Sequence, residues 1–484
     1  MGVLFCFVVG LFMALQPISD NDFFWHMVVG NRVLLDKIIP NHELYSWASG
    51  KSWVAHEWLT EAIMYKLGPV GCITIMLVIF LGLYILMAKM LRVKVKKIFD
   101  FKLLYLLMMC VFFKVTGPRP YIISLLFFAY LIYVLFSYVD KRKRSDKLIW
   151  TLPVLQILWV NFHGGSSSMI YIFILGTLMC HYFLKLLPWR NERFMQNILD
   201  KKQVKTLVIV FFLSILATCI NPFGYKMLLY PFSNMTDTSM TSYIMEWNSP
   251  SFHGVLGIYI FVMIAIPLFN LILQHKNMKF HEVAFQLLMF YMCLKSQRFI
   301  GMYGIYSTWN LGKYFFVTDD MMDVLKKPFI KYQKYIYGVS CGILVLFAAL
   351  IGYRQVFSFK NVGLIDNDGF YSDKAVEKLI EIKPERLFND YSQGGYLLYK
   401  LNEYKALDDV KIFAYGLGDV FSNDILPDAM NLSNLYTNPR SIIEKYDFDC
   451  LITTKKYPLH YFLDECNDYK LVYEDDMCYI YVRV

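Results

Sequence analysis

Two aspartates flank an asparagine at Asp20-Asn21-Asp22, and Phe24-Trp25-His26 follows directly. Further along, His56-Glu57-Trp58 joins imidazole, acid and indole again. Later blocks read Gly117-Pro118-Arg119-Pro120, Asn161-Phe162-His163-Gly164-Gly165, Asn221-Pro222-Phe223-Gly224, Glu246-Trp247 and Gln297-Arg298. Acids and imidazoles supply a general base, and arginines bind phosphate through forked, charge-assisted hydrogen bonds. Two carboxylates one residue apart, Asp20 and Asp22, can also share a divalent cation such as Mg2+ or Mn2+ through oxygen ligands.

Each of these residues also has a structural reading. Asp20 or Asp22 fits as an N-cap before a 23–35 helix. His26 and His56 fit an interfacial layer with Trp25 and Trp58. Glu57 has Lys51 near it in sequence, and Glu246 has no local basic partner. Arg119 and Arg298 can snorkel to phospholipid headgroups. His163 precedes two glycines that permit a tight turn. Asn221-Pro222 reads as a helix stop.

The elements that must position these residues are apolar. The chain has 484 residues, 57% hydrophobic and 18% charged, with a mean hydropathy of +0.41. A soluble enzyme carries about 25% charged residues, so that class is excluded, and so is disorder. Apolar runs cover 1–18, 71–91, 101–117, 121–138, 149–162, 167–187, 205–221, 252–274, 281–297, 301–316 and 335–353, about eleven spans. The 301–316 run is the weakest span, being short and holding Gly304, Ser307, Thr308 and Asn310. The run at 1–18 lacks a basic n-region and a cleavage pattern, and reads as a retained first span.

Basic residues cluster in every second connection: Arg92 to Lys97, Lys141 to Lys147, Lys185 to Lys205, Lys276 with Lys279, and Lys326 to Lys334. By the positive-inside rule these face the cytoplasm of a plasma membrane. The N-terminus is then inside, and the region after 353 outside. The candidate residues named above all fall in the remaining, outer connections. The net charge of +9 belongs to these clusters and not to nucleic-acid binding.

A transmembrane domain at 1–353, with an outer loop at 19–70, is followed by a polar segment at 354–484. In that segment strand-like runs at 411–415, 449–454 and 477–483 alternate with helix-like runs near 373–382, 393–402 and 439–446. Alternation of this kind predicts a small extracytoplasmic α/β domain. Of the ten cysteines, Cys450, Cys466 and Cys478 lie there, and three thiols allow at most one disulfide among them. No Walker A loop is present.

The stretch D-N-D-F-F-W-H-M-V-V-G-N-R-V-L, with P-N-H-E-L-Y-S-W and W-V-A-H-E-W-L, resembles a family of bacterial polytopic proteins. That family is related to the GT-C glycosyltransferases, which use lipid-linked sugars. The blocks G-P-R-P, N-F-H-G-G, N-P-F-G-Y, E-W, Q-R-F and F-N-D-Y-S-Q-G-G-Y-L-L are similar to its later motifs, so the resemblance spans nearly the whole chain. Related chains often carry Asp-Gly-Arg after the Gly-Gly block. Here Ala414-Tyr415-Gly416-Leu417 stands in that place, and no role of that arginine is carried over.

The resemblance implies a GT-C-like polytopic fold. It implies a hexosyl- or pentosyltransferase that moves a sugar from a polyprenyl-phosphate donor to a glycan or glycolipid acceptor of the cell envelope, with inversion. It places Asp20 and Asp22 as the catalytic acids of the first outer loop, acting as base or metal ligands. His26, His56, Glu57, Arg119, His163, Glu246 and Arg298 are the substrate-binding candidates, with Arg119 and Arg298 on the donor phosphate. Two other classes stay open: a transporter or flippase of lipid-linked saccharide, and a non-catalytic envelope-assembly protein. A transporter is expected to show broken helices in repeated halves and mid-span polar residues. The sequence has no internal repeat and few mid-span charges, Lys114 near one end among them.

Overall fold

In the computed structural model, residues 2–93, 101–112, 117–187, 198–317, 333–366 and 369–484 are described. Every apolar run carries a helix: Gly2–Ala14, Trp58–Leu91, Phe101–Phe112, Tyr121–Val139, Leu152–Phe162, Met169–Leu186, Lys201–Thr218, Gly254–Gln274, Phe280–Lys295, Ile300–Tyr314 and Gln333–Val362. Four of the described helices are long and apolar enough to cross a membrane: Trp58–Leu91, Tyr121–Val139, Met169–Leu186 and Gly254–Gln274. The chain is a helical membrane protein on that ground. Gly2–Ala14 and Lys102–Phe112 are apolar but shorter, and the count of about eleven spans goes beyond these four helices. Lys94, Lys96, Lys97, Lys114, Arg190, Arg193, Lys326, Lys327 and Lys331 lie outside the described residues.

Two compact units are each assembled from separated stretches. The first contains Met1–Pro17, Ile73–Pro231 and Glu246–Gly363, and the second Ile18–Cys72, Phe232–Met245 and Leu364–Val484. The division expected at 353/354 grouped the 19–70 loop with the spans. In the structure that loop folds with the C-terminal segment.

In the first unit, Ile300–Tyr314 is the central helix, with Ile300 to Gly312 all buried. It packs on Phe101–Phe112, Tyr121–Val139, Gly254–Gln274 and Phe280–Lys295. Its polar side chains bond inside the protein, with Asn310 Oδ1 the exception among the described residues. Gln286 Nε2 donates to Ser307 Oγ at 3.0 Å, and Asn310 Nδ2 donates to Gln286 Oε1 at 2.9 Å. A helix enclosed by others can carry such groups, whereas one facing lipid cannot, which accounts for the weak hydropathy of this run. Outward positions of Gly254–Gln274 are large and apolar, including Val255, Ile258, Phe261 and Phe269.

In the second unit, a four-stranded sheet is built from β1 (Leu387–Asn389), β2 (Cys450–Thr454), β3 (Tyr469–Glu474) and β4 (Cys478–Arg483), ordered β1-β2-β4-β3. β1 and β2 are parallel, whereas β4 is antiparallel to both β2 and β3. The expected strands at 449–454 and 477–483 form β2 and β4. Helices at Asp373–Ile382, Gly394–Glu403 and Pro439–Tyr446 match the expected runs. The 411–415 run does not join the sheet: Ile412 bridges Ser46, and Trp47 N donates to Ile412 O. Cys450, Cys466 and Cys478 are free thiols.

The P-N-H-E-L-Y-S-W block is the anchor of this unit. Glu43 is buried and accepts from Tyr45 N at 2.7 Å, Ser46 N at 2.9 Å and Tyr415 Oη at 3.2 Å. Burial pushes its carboxyl up to about 7, against those donors. Ser46 Oγ donates to Phe413 O, and Trp47 Nε1 to Leu387 O. The F-N-D block works the same way. Asn389 accepts from Phe413 N and donates to Ala414 O. Asp390, fully enclosed, accepts from Thr454 N, Ser433 Oγ, Thr453 Oγ1 and Tyr371 Oη.

Candidate functional site

The first cluster lies within the second unit, on the Asn21–Leu35 helix and the start of Trp58–Leu91. Asp20 is the N-cap of Asn21–Leu35, its Oδ1 accepting from Asp22 N at 3.0 Å. Asp22 stands in the first turn, and Trp25 Nε1 donates to its Oδ1 at 3.2 Å. That bond orients the carboxylate. The helix itself is held by Phe24, which packs edge-on against Phe370 and Tyr396. The Gly394–Glu403 helix lies against it: a Cβ on Gly395 would stand 2.5 Å from Asn21 O. The Gly-Gly pair of the C-terminal motif is thus a close-approach device beside the Asp-x-Asp motif.

One turn on, His26 is buried, with Nδ1 2.8 Å from Glu61 Oε1 and 3.6 Å from Glu57 Oε2. His56 Nε2 lies 3.5 Å from Glu57 Oε1. Glu57 thus faces histidines, and Lys51 pairs instead with Asp424 at 2.7 Å. Burial opposes charging His26, but Glu57, Glu61 and Asp22 outweigh it and hold its pKa above the ordinary value. Glu61 was not among the sequence candidates. Its signal was the i, i+4 spacing from Glu57, which sets two acids on one helix face.

The second cluster lies within the first unit. Arg119 forms an ion pair with Glu246. Arg298 Nε is 4.0 Å from the other oxygen of Glu246. The Arg298 guanidinium lies 4.8 Å above the Trp247 ring and 5.6 Å from that of Tyr121. Tyr121 Oη donates to Arg298 O, and Ser296 Oγ donates to Glu246 O at 3.0 Å. Two arginines, both part-exposed, are thereby held on one acid beside aromatic faces. His163 is buried, bonded through Nδ1 to Ser124 Oγ at 2.8 Å and edge-on to Tyr121. Asn221 accepts from Phe223 N at 2.7 Å and donates to Gly224 O, the turn expected of a helix stop.

Neither a protein-family model nor a curated protein matches this sequence. Among solved structures, the archaeal oligosaccharyltransferase AglB from Archaeoglobus fulgidus, in complex with an inhibitory peptide and a dolichol-phosphate, aligns with a TM-score of 0.55 at 10% identity, covering 93% of this chain and 69% of that one. The chain is similar in fold to a GT-C glycosyltransferase. Two further structures of the A. fulgidus oligosaccharyltransferase, the apo form and a complex with Zn and sulfate, align with TM-scores of 0.49 and 0.46 at 9% and 10% identity. They cover 93% and 100% of this chain, and 69% and 73% of theirs. The AglB alignment at a TM-score of 0.55 agrees with the GT-C-like fold that the motifs' resemblance implies. Within it, Asp20, Asp22, His26, His56 and Glu57 share one unit, whereas Arg119, His163, Glu246 and Arg298 share the other.

Proposed function

We propose that this protein is a GT-C-type glycosyltransferase that moves a sugar from a polyprenyl-phosphate-linked donor to a cell-envelope glycan or glycolipid on the outer membrane face. The observation that carries the reading is Asp22: a part-buried carboxylate aimed by Trp25 Nε1, at the start of the first helix after Gly2–Ala14, in a chain with a GT-C-like fold. The bound dolichol-phosphate of AglB supports a lipid-phosphate donor by analogy of fold.

Asp22 is the general base. It takes the proton of the acceptor's attacking group as that group displaces the lipid phosphate from the anomeric carbon. One such displacement inverts the configuration. Asp20 caps the helix that carries Asp22. Arg119 and Arg298 take the departing phosphate, where charge develops and paired guanidinium donors stabilise it most. About eleven spans set the N-terminus inside and the C-terminal region outside, as the basic connections require. A divalent cation on Asp20 and Asp22 would use the second oxygen of each, because one oxygen of each already accepts an N–H.

The test is complementation of a deletion strain with wild type, Asp20→Asn and Asp22→Asn, with surface glycans and lipid-linked sugars read by mass spectrometry. Loss of a surface sugar with its carrier accumulating in Asp22→Asn, at normal protein level, supports the transferase. Purified protein must then transfer that sugar in vitro. Unchanged glycans in Asp22→Asn, where the deletion changes them, overturn the assignment.

A further inference from the structure

His26, Glu57 and Glu61 each offer one ligand atom, and these atoms lie within 4.8 Å of one another. All three side chains are buried, Glu61 completely. Glu61 Oε1 meets His26 Nδ1, while its Oε2 is buried with no hydrogen-bond partner among the described residues. A carboxylate oxygen left unsatisfied in a closed interior is costly and calls for a partner. The charged groups acting on Glu61 are His26 and Glu57.

We propose that His26 Nδ1, Glu57 and Glu61 bind a divalent first-row transition ion, Zn2+ or Mn2+. The charge balance favours it. Two carboxylates with an imidazolium leave one net negative charge, whereas a dication with a neutral imidazole cancels both carboxylates. The spacing favours it too. Metal–ligand bonds of about 2.0–2.1 Å set neighbouring ligand atoms roughly 2.9 Å apart in an octahedron and roughly 3.3 Å in a tetrahedron. The His26 Nδ1 separations of 2.8 Å to Glu61 and 3.6 Å to Glu57 bracket those values. An imidazole with two carboxylates suits Zn2+ or Mn2+, whereas Mg2+ and Ca2+ take all-oxygen sets.

The fold holds this geometry ready. A Cβ on Gly30 would stand 2.0 Å from Glu61 O, so the two helices meet at closest approach beside the ligands. Three protein ligands leave further coordination positions for water or a phosphate oxygen. The ion would be separate from Asp20 and Asp22, and its binding is read without turnover, so the site stands or falls independently of the transferase reading.

The experiment uses the full chain in detergent, stripped with a chelator and dialysed against ZnCl2 or MnCl2, with bound metal counted by mass spectrometry. The expected result is one ion per chain in wild type and in Asp20→Asn. Affinity should fall at least tenfold in Glu61→Gln and in His26→Gln, each checked for unchanged melting temperature without metal. If both variants unfold, X-ray absorption on Zn-loaded wild type decides: one imidazole with oxygen neighbours is expected. Binding of less than about a tenth of an ion per chain, unchanged affinity in the folded variants, or a spectrum without imidazole overturns the proposal. The trio would then be a hydrogen-bonded imidazolium between two acids.

Discussion

Gly416 lies against Asp22: a Cβ on Gly416 would stand 2.3 Å from Asp22 Oδ1 and 2.5 Å from Trp25 Nε1. The C-terminal segment thus touches the residue proposed as base. A methyl group there must displace either the carboxylate or the indole that aims it. Gly416→Ala should therefore lower transfer activity at least tenfold with normal protein level. Displacing a catalytic group by about 1 Å costs on that scale. In vitro transfer rates alongside thermal melting check this; an active, equally stable Gly416→Ala protein contradicts it.

Asp20 and Asp22 should separate cleanly. Asp20 is an N-cap, and asparagine caps as well as aspartate, whereas alanine loses about 1 kcal/mol. Asp20→Asn should keep most activity, and Asp20→Ala should lose stability first. Asp22→Asn cannot accept a proton and should lose about 10²–10⁴ in rate. Rates and melting temperatures of the three variants measure the contrast. Equal rate losses in the two asparagine variants, both folded, would show that Asp20 is more than a cap.

Arg298 is held by stacking as well as charge. Its guanidinium lies over Trp247 and near Tyr121, with Glu246 at 4.0 Å. Lysine keeps the charge but loses both the planar stack and the fork. Arg298→Lys should therefore resemble Arg298→Ala, raising the KM for the lipid-phosphate donor about tenfold while the protein stays folded. Initial rates at varied donor concentration provide the test. Full rescue by lysine would reduce the role of Arg298 to charge alone.

What the sequence made legible follows from what its patterns encode. Helices announce themselves through long apolar runs, so every expected run carries one. Crossing a membrane depends on what surrounds a helix, and Ile300–Tyr314 shows the difference: its polar residues face other helices. The Asp-x-Asp and His-Glu-Trp motifs were visible because acids beside apolar runs stand out. Glu61 sits inside the helix Trp58–Leu91, and its i, i+4 spacing from Glu57 gains meaning only when folding sets His26 beside both acids. β1 is only three residues long, too short for an alternating pattern. The run at 411–415 has strand composition but pairs with Tyr45 to Trp47, a partner more than 350 residues away in the chain.

The last expectation concerns pH. Burial pushes the Asp390 carboxyl up to about 6, against the donors from Thr454, Ser433, Thr453 and Tyr371. Its ordinary value is about 3.9, so the folded state holds a proton that the unfolded state releases. The sign follows: its contribution is greatest below about pH 4 and is lost as pH rises through about 6. A shift of roughly two units corresponds to about 3 kcal/mol. Glu43, at about 7, acts in the same direction over a slightly higher range. Melting temperature should thus fall between pH 5 and pH 8. In Asp390→Asn the fall should be smaller, because an amide does not titrate, and the hydroxyls of Ser433 and Thr453 can turn to accept from it. A melting temperature that rises with pH in wild type, or an unchanged slope in Asp390→Asn, would show that Asp390 stays ionised in its enclosure.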